Sequence, residues 1–276
     1  MTFRITPLSD ALGSEVVGVD FSKPVSVSDF QRIQSELTDR LVLVVRDQNL
    51  TPAQLVATVQ MFGEIMPQHL SEMLMPEHPD IAVLDSRNVQ PGPDGRIMPV
   101  GSRAWHTDHT NHAMPPKFTV LYAVSLPQTG GDTSFANMQR AYARLTDNER
   151  KELVNLRTLN KIEDHSYVSD ADRSRFGERQ SHPLIRTHPD TGRKGIYLHP
   201  GKTECIEGMT PEDSRVFVDQ LLDKTIGPEV IYRHHWLTGD LIIWDNRGVS
   251  HRAHADYDLS AGRVMHRVLV RGEVPF

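Results

Sequence analysis

Short apolar segments bounded by turn residues recur along this chain, and they restrict its fold more than any other sequence feature. Leu41–Val45, Phe118–Val124 and Leu241–Trp244 are continuous rather than alternating, which is typical of strands buried on both faces. Helical spacing of apolar residues is confined to a few segments, such as the one from Phe30 to Leu37. This pattern predicts an α+β protein with a mostly β core and helices packed outside it.

Composition narrows the class of protein further. The 276 residues have a formal net charge of -6 and a pI of about 6.1, which argues against a nucleic-acid partner. Cys205 is the single cysteine, so an internal disulfide is excluded and a cytoplasmic location is expected. No segment resembles a signal peptide or a membrane span. We expect one domain spanning residues 1–276.

A long segment rich in proline and glycine runs from Asn88 to Ser102. Loops of this length inside compact domains often close over active sites, so a lid is one interpretation. A disordered surface loop is the other, and the sequence does not decide between them.

The first chemical signal is the pair His106 and Asp108. In an extended segment, side chains two residues apart lie on one face, where an imidazole and a carboxylate can share a metal ion. One further histidine would complete the 2-His-1-carboxylate triad that holds Fe(II) and leaves coordination positions open. His251, which follows the predicted strand ending at Trp244, is the candidate for that third ligand.

Arg263 and Arg267 form a second signal, because their spacing places both on one face of a predicted strand. A guanidinium binds a carboxylate through two parallel hydrogen bonds, so this pair suits a dicarboxylate whose other end chelates the metal. The alternative is that both arginines are ordinary solvated strand residues.

Taken in order, four motifs resemble the taurine dioxygenase / 2,4-dichlorophenoxyacetate dioxygenase family over nearly the whole chain. The motifs are Trp105-His106-Thr107-Asp108, Gly130-Gly131-Asp132-Thr133, Trp244-Asp245-Asn246-Arg247 with His251, and Arg263 with Arg267. The resemblance implies a double-stranded β-helix (a jelly-roll, cupin-like fold) with flanking helices. It also implies Fe(II), 2-oxoglutarate and O2 as cofactor and cosubstrates.

The resemblance assigns roles residue by residue. His106, Asp108 and His251 match the iron ligands. Thr133 and Arg263 match the groups that hold 2-oxoglutarate. The positions matching substrate contacts are Arg267, His69, Asn88 and Trp244, with Arg267 gripping an anionic group.

The expected reaction is hydroxylation of a small anionic molecule, with succinate and CO2 as co-products. The substrate would be a sulfonate or a carboxylate, with aryloxyalkanoate-like acids included. Related halogenases lack the carboxylate that Asp108 provides here, so hydroxylation is favoured over halogenation. Residues 67–71 differ from the taurine enzyme, so taurine itself is not the expected substrate. A homo-oligomer, a dimer or tetramer, is also expected.

Three alternatives remain open at this point. The same cofactors could support desaturation or oxidative cyclisation. The chain could instead be a catalytically silent metal-binding β-barrel, or a hydrolytic zinc enzyme that uses the same three ligands. The silent β-barrel predicts a lost metal ligand or a lost cosubstrate anchor, and neither is missing from the sequence. The zinc enzyme would not need Thr133 or Arg263.

Overall fold

The computed structural model describes residues 3–68, 71–88, 102–162 and 168–276. The helices are α1 (Val27–Arg40), α2 (Pro52–Gln60), α3 (Met138–Ala143), α4 (Asp147–Leu153), α5 (Asp170–Phe176) and α6 (Pro211–Thr225). The strands are β1 (Arg4–Pro7), β2 (Ser14–Val17), β3 (Val42–Val45), β4 (Leu74–Met75), β5 (His78–Asp85), β6 (Phe118–Ser125), β7 (Thr133–Asn137), β8 (Arg157–Asn160), β9 (Gln180–Pro183), β10 (Ile185–Thr187), β11 (Lys194–Ile196), β12 (Thr203–Ile206), β13 (Ile231–His234), β14 (Leu241–Asp245), β15 (Val249–Ala253) and β16 (Val264–Val270).

An eight-stranded sheet with the order β1-β2-β3-β14-β6-β16-β5-β4 dominates the described part of the chain. Its central strand β14 pairs antiparallel with β3 on one side and β6 on the other, with Ile243 opposite Leu43 and Val120. Strand β16 then pairs with both β6 and β5. Segments distant in sequence thereby become neighbours, and this brings the C-terminal arginines close to the middle of the sheet.

Both faces of this sheet are covered, which explains the continuous apolar segments. Leu43 and Val45 of β3 face the core formed with α1 and α2, whereas Val42 and Val44 face a second core on the other side. Because successive side chains of a strand point to opposite faces, a strand buried on both sides needs apolar residues at every position.

Helices α1 and α2 cover one face and begin at well-formed caps. The Ser26 hydroxyl accepts a hydrogen bond from the backbone N–H of Asp29, and Thr51 forms a capping box with Gln54. Pro52 occupies the first turn of α2, as its sequence predicts. Ile33, on the apolar side of α1, is completely buried against the sheet.

A three-stranded sheet with the order β13-β7-β15 lies on the other face. Phe135 of β7 packs against Trp244 of β14, with ring centroids 5.5 Å apart, so the two sheets share one core. Two further small sheets, β12-β8-β9 and β10-β11, complete the strand pairing of the described residues. The candidate site lies where β15 and β14 approach each other.

The sequence-based prediction of a sheet-dominated mixed protein is confirmed. One detail differs from it. Arg263 immediately precedes β16 rather than lying in it. Most of the proposed lid, residues 89–101, lies outside the described residues. No helix in the described part is long and apolar enough to cross a membrane.

Candidate active site

His106, Asp108 and His251 come together as predicted. Nε2 of His106 and Nε2 of His251 each lie 3.8 Å from Oδ1 of Asp108, and one ligand atom from each residue falls within 4.8 Å of the others. All three residues are buried. Among the described residues this is the only cluster of three or more histidine, cysteine or acidic side chains with such geometry.

Backbone pairing, rather than a continuous strand, holds the two histidines together. The backbone N–H of His106 donates to the carbonyl of His251 at 3.0 Å, and the N–H of His251 donates back at 2.8 Å. The chain turns immediately after this bridge, and His109 has a left-handed backbone with φ of 52°. The extended segment that carries His106 therefore ends at Asp108, and His109 does not continue its alternation of faces.

A short hydrogen-bond relay orients Asp108. The Thr119 hydroxyl donates to Oδ2 of Asp108 at 2.6 Å, and Nδ2 of Asn246 donates to the Thr119 oxygen at 2.8 Å. Oδ1 of Asn246 accepts from the indole N–H of Trp244 at 3.0 Å. With one carboxylate oxygen held by Thr119, the other is directed toward the two histidines. Partners of this kind orient a ligand and tune the metal.

Trp244 has a supporting position beside His251, and its contact with substrate stays a prediction. It is 1% exposed, and its ring lies 4.6 Å from the ring of His251, on the side where Phe135 also packs. These rings fix the position of the His251 side chain and exclude water from it. Burial lowers the pKa of His251 to about 3, so its imidazole is neutral, which is the form that binds a metal.

The donor set fits ferrous iron. Nδ1 of His106 lies 2.9 Å from the carbonyl oxygen of Ala104 and donates to it, which leaves Nε2 as the free ligand atom. Two imidazole nitrogens and one carboxylate oxygen are typical of non-haem Fe(II) oxygenases, whereas structural zinc sites use four protein ligands. The residues present therefore suit a metal that keeps positions open for small molecules.

Arg263 approaches the site as a buried cation. Its Nε donates to the carbonyl of Gly131 at 3.0 Å, and its backbone N–H donates to the Ser86 hydroxyl at 2.9 Å. The residue is 8% exposed, and burial lowers its pKa from the ordinary arginine value. No carboxylate of the described residues lies within ion-pair distance of it. A buried arginine without an acidic partner indicates that an anion binds there.

Thr133 faces the same space, and Trp236 connects it to Arg263. Thr133 stands opposite Ala253 in the pairing of β7 with β15, two positions from the Phe135–His251 pair, so Thr133 and His251 share a face. The indole N–H of Trp236 donates to the Thr133 hydroxyl at 3.0 Å, and the Arg263 guanidinium lies 5.7 Å from the Trp236 ring.

The Gly-Gly turn before Thr133 is sterically required. Gly131 has a φ of +76°, and a Cβ at this position would lie 3.1 Å from Cδ of Arg263. Glycine tolerates this backbone conformation and leaves room for the arginine. The turn therefore sets the distance between the hydroxyl and the guanidinium.

Arg267 lies close to the metal ligands and is held by Gln68. Its Nε donates to Oε1 of Gln68 at 2.9 Å, while Nε2 of Gln68 donates to the Arg267 carbonyl at 2.8 Å and to that of Asp80 at 3.0 Å. One terminal nitrogen of Arg267 is buried with no hydrogen-bond partner in the described structure. Burial lowers the pKa of Arg267, and the nearby Asp108 carboxylate opposes that shift.

The remaining predicted contacts are less defined. His69 lies outside the described residues. Asn88 is exposed, in the turn after β5, where its backbone N–H donates to the carbonyl of Asp85 at 3.0 Å. It follows Ser86, which bonds Arg263, by two residues. Its substrate role stays a prediction.

Several residues of the site escape sequence-based reasoning. Thr119 and Gln68 are ordinary polar residues in sequence, and Trp236 belongs to none of the four motifs. His199 lies with its ring 4.8 Å from that of His106, and burial lowers its pKa well below the usual value. Among the supporting residues, only Asn246 could be singled out from the sequence, because it lies inside the Trp244–Arg247 motif.

Comparison with known proteins agrees with this geometry. Residues 4–269 match the model of the family described as taurine catabolism dioxygenase TauD, TfdA. The chain is 32% identical to pentalenolactone F synthase of Streptomyces arenae, over 96% of this chain and 94% of that enzyme. It is 31% identical to the alpha-ketoglutarate-dependent 2,4-dichlorophenoxyacetate dioxygenase of a Burkholderia species (strain RASC), over 90% and 87% of the two chains.

The fold is also similar to that of a solved dioxygenase structure. A taurine dioxygenase crystal structure from Burkholderia xenovorans superimposes with a TM-score of 0.82 at 29% sequence identity, covering 99% of this chain and 90% of that one. The match extends through all the motifs that build the site. The chain belongs to the TauD/TfdA dioxygenase family.

Proposed function

We propose that this enzyme hydroxylates a small organic anion, a sulfonate or a carboxylate, with aryloxyalkanoate-like acids included. The class of enzyme follows from the family: a 2-oxoglutarate-dependent dioxygenase, with Fe(II), 2-oxoglutarate and O2. The observation that carries the substrate class is Arg267. Its buried terminal nitrogen lacks a protein acceptor and its guanidinium lies near Asp108, so an anionic substrate would bind beside the metal.

Each group of the site has a defined task in this reaction. When bound, iron and 2-oxoglutarate would supply the oxidising chemistry with O2 as the oxidant, and succinate and CO2 would be the co-products. His106, Asp108 and His251 would hold the metal, and Arg263 with Thr133 would hold the distal carboxylate of 2-oxoglutarate. The aromatic rings of Trp244 and Phe135 exclude water behind His251.

The substrate proposal is supported by one relative whose name contains 2,4-dichlorophenoxyacetate, an aryloxyalkanoate. Arg267 is the arginine whose charge acts on the Asp108 carboxylate, whereas Arg263 lies beside the Gly-Gly turn. A substrate that presents one carboxylate or sulfonate to Arg267 would have its neighbouring C–H bonds near the three residues that would hold the metal.

The proposed architecture is one jelly-roll domain over residues 1–276. The face-to-face packing of the β13-β7-β15 sheet on the large sheet supports it, as does the position of the site between them. We also propose that the protein acts in the cytoplasm, in line with its single cysteine, and that it assembles as a dimer or tetramer.

Succinate formation tests the function. The purified protein, supplied with Fe(II), 2-oxoglutarate, ascorbate and air, is screened with sulfonates, aryloxyalkanoates and other small acids. We expect at least one acid to stimulate succinate formation and to be recovered as its hydroxylated or fragmented product. Asp108→Ala should reduce this turnover to background, and Asp219→Ala, on the exposed side of α6, should leave it unchanged.

A matched pair of variants tests the role of Arg267. Arg267→Gln should raise the KM for the anionic substrate, whereas Arg263→Gln should raise the KM for the cosubstrate. Failure of every acid to stimulate turnover would contradict the proposal, and so would activity that persists under nitrogen.

A further inference from the structure

A cavity of about 560 Å³ opens on the side of the molecule formed by α3, α4, β11 and the end of α1. None of the proposed metal, cosubstrate or substrate residues lines it. Its lining carries one acidic side chain, Asp39, and five cationic ones: Arg40, Arg140, Arg150, Arg193 and Lys194. This concentration of positive charge stands out in a chain whose net charge is -6. A cavity of this size accommodates a small molecule.

Three buried N–H donors of the lining residues have no acceptor. They are Nε of Arg40, Nε2 of Gln139 and Nε of Arg150, and none has a hydrogen-bond partner in the described structure. Gln139 is 8% exposed, so water does not readily compensate for the missing bond. These donors lie behind the surface of the cavity, and they give its wall more hydrogen-bond donors than the protein has acceptors for, which favours an anion over a cation in the cavity.

Most of the positive charge is also not neutralised by the protein. Arg193 pairs with Asp39 at 2.9 Å and Arg150 with Asp147 at 3.3 Å. Arg40 donates to the carbonyl of Ser9 instead of a carboxylate. In the described ranges, Arg140 and Lys194 form no ion pair, and both are exposed at the mouth of the cavity. Two cations are thus available to a ligand.

The cavity and the metal site lie at opposite ends of one strand. β7 begins with Thr133, two positions from the residue that pairs with His251, and ends with Asn137, which lines the cavity. The next residue, Met138, donates its backbone N–H to the carbonyl of Gly248, three residues before His251. The cavity is therefore separate from the metal site but adjoins the strands that carry it.

We propose that this cavity binds a small anion with at least two phosphate or carboxylate groups, apart from the catalytic centre. Arginine guanidinium groups bind both kinds of oxyanion, and the separated cations favour a ligand charged at two ends. The proposal does not depend on the identity of the oxidised substrate.

Calorimetric titration of the iron-loaded enzyme tests this site. The titration is done under nitrogen with saturating 2-oxoglutarate, so that the proposed cosubstrate site at Arg263 is already filled. Fructose 1,6-bisphosphate is the phosphate probe and tricarballylate the carboxylate probe. We expect at least one to bind, and the tighter probe identifies the class of anion. The double variant Arg140→Gln/Lys194→Gln should weaken its binding by at least about tenfold, because two charge-assisted contacts are lost.

Two control variants distinguish binding in this cavity from general electrostatic attraction and from binding at the catalytic centre. Arg4→Gln/Arg215→Gln removes the same charge from exposed positions away from the cavity and should change the affinity by less than about twofold. Arg267→Gln should likewise leave it unchanged. The proposal is overturned if neither probe binds, if both double variants weaken binding equally, or if Arg267→Gln abolishes it.

Discussion

Two buried arginines of this protein, Arg247 and Arg263, differ in what surrounds them. Arg247 donates to Asp245 through Nε at 2.8 Å and through a terminal nitrogen at 2.6 Å, and it also pairs with Asp190 at 2.9 Å. Arg263 is similarly buried, yet its Nε meets only the carbonyl of Gly131, and no carboxylate of the described residues is paired with it.

The electrostatics of the two regions follow from this difference. Beside Arg247, the pKa of Asp245 lies well below the usual range, and His188 adds a hydrogen bond to the same carboxylate at 3.0 Å. Around Arg263 burial acts largely alone and lowers the guanidinium pKa. A buried charge whose partner is part of the chain serves the fold, whereas one that lacks a partner is suited to a ligand.

The largest expected effect comes from breaking the internal pair. Arg247→Gln leaves the Asp245 carboxylate buried without its main partner, so the free energy of unfolding should fall by about 3–5 kcal/mol. Chemical denaturation measures this. Arg193→Gln removes an exposed pair with Asp39 and should cost less than about 1 kcal/mol. Equal midpoints for the two variants would contradict the structural role of Arg247.

The ion pair between Arg247 and Asp245 should also affect how the free energy of unfolding changes with pH in the acid range. Because the folded pKa of Asp245 is depressed, its contribution is fully present above the unfolded value near 3.8 and is lost as the pH falls below it. The wild type should therefore lose stability steeply below about pH 4, and Arg247→Gln should show a shallower loss. Unfolding free energies measured across this range decide the point, and parallel curves would count against it.

Arg263 should behave in the opposite way. Arg263→Gln removes the proposed charge-assisted contact to 2-oxoglutarate, worth about 1.5–3 kcal/mol, so the cosubstrate KM should rise by roughly 10- to 150-fold. Its stability should stay the same or increase, because an unpaired buried charge is removed. A marked loss of stability with an unchanged KM would show that the two arginines have the same role.

A smaller effect is expected at the relay behind Asp108. Thr119→Val keeps the side-chain shape but removes the hydroxyl between Asp108 and Asn246, so Fe(II) affinity should fall by about 10- to 100-fold. Anaerobic metal titration measures this. Thr58→Val is the matched control, since that buried hydroxyl bonds only the carbonyl of Gln54 within α2. If both variants bind iron as the wild type does, Thr119 does not position the ligand.

The metal ligands were predictable because their signal is local. His106 and Asp108 are two residues apart, and His251 follows a strand that its apolar residues identify. The segment from Asp108 to His112 was not predictable in the same way, because the left-handed backbone of His109 has no marker in the sequence. Buried strands such as β3 were found for a general reason, since burial on both faces needs continuous apolar residues.

By itself, the sequence determined the metal donors, the buried strands and the two arginines four positions apart. Only the tertiary structure decided which polar groups meet them: Thr119 with Asp108, Trp236 with Thr133, and Gln68 with Arg267. The physical reason is that strand order and register set these contacts between residues distant in sequence. For the same reason only the fold shows that Arg247 is paired with a carboxylate, whereas Arg263 has no such pair in the described structure.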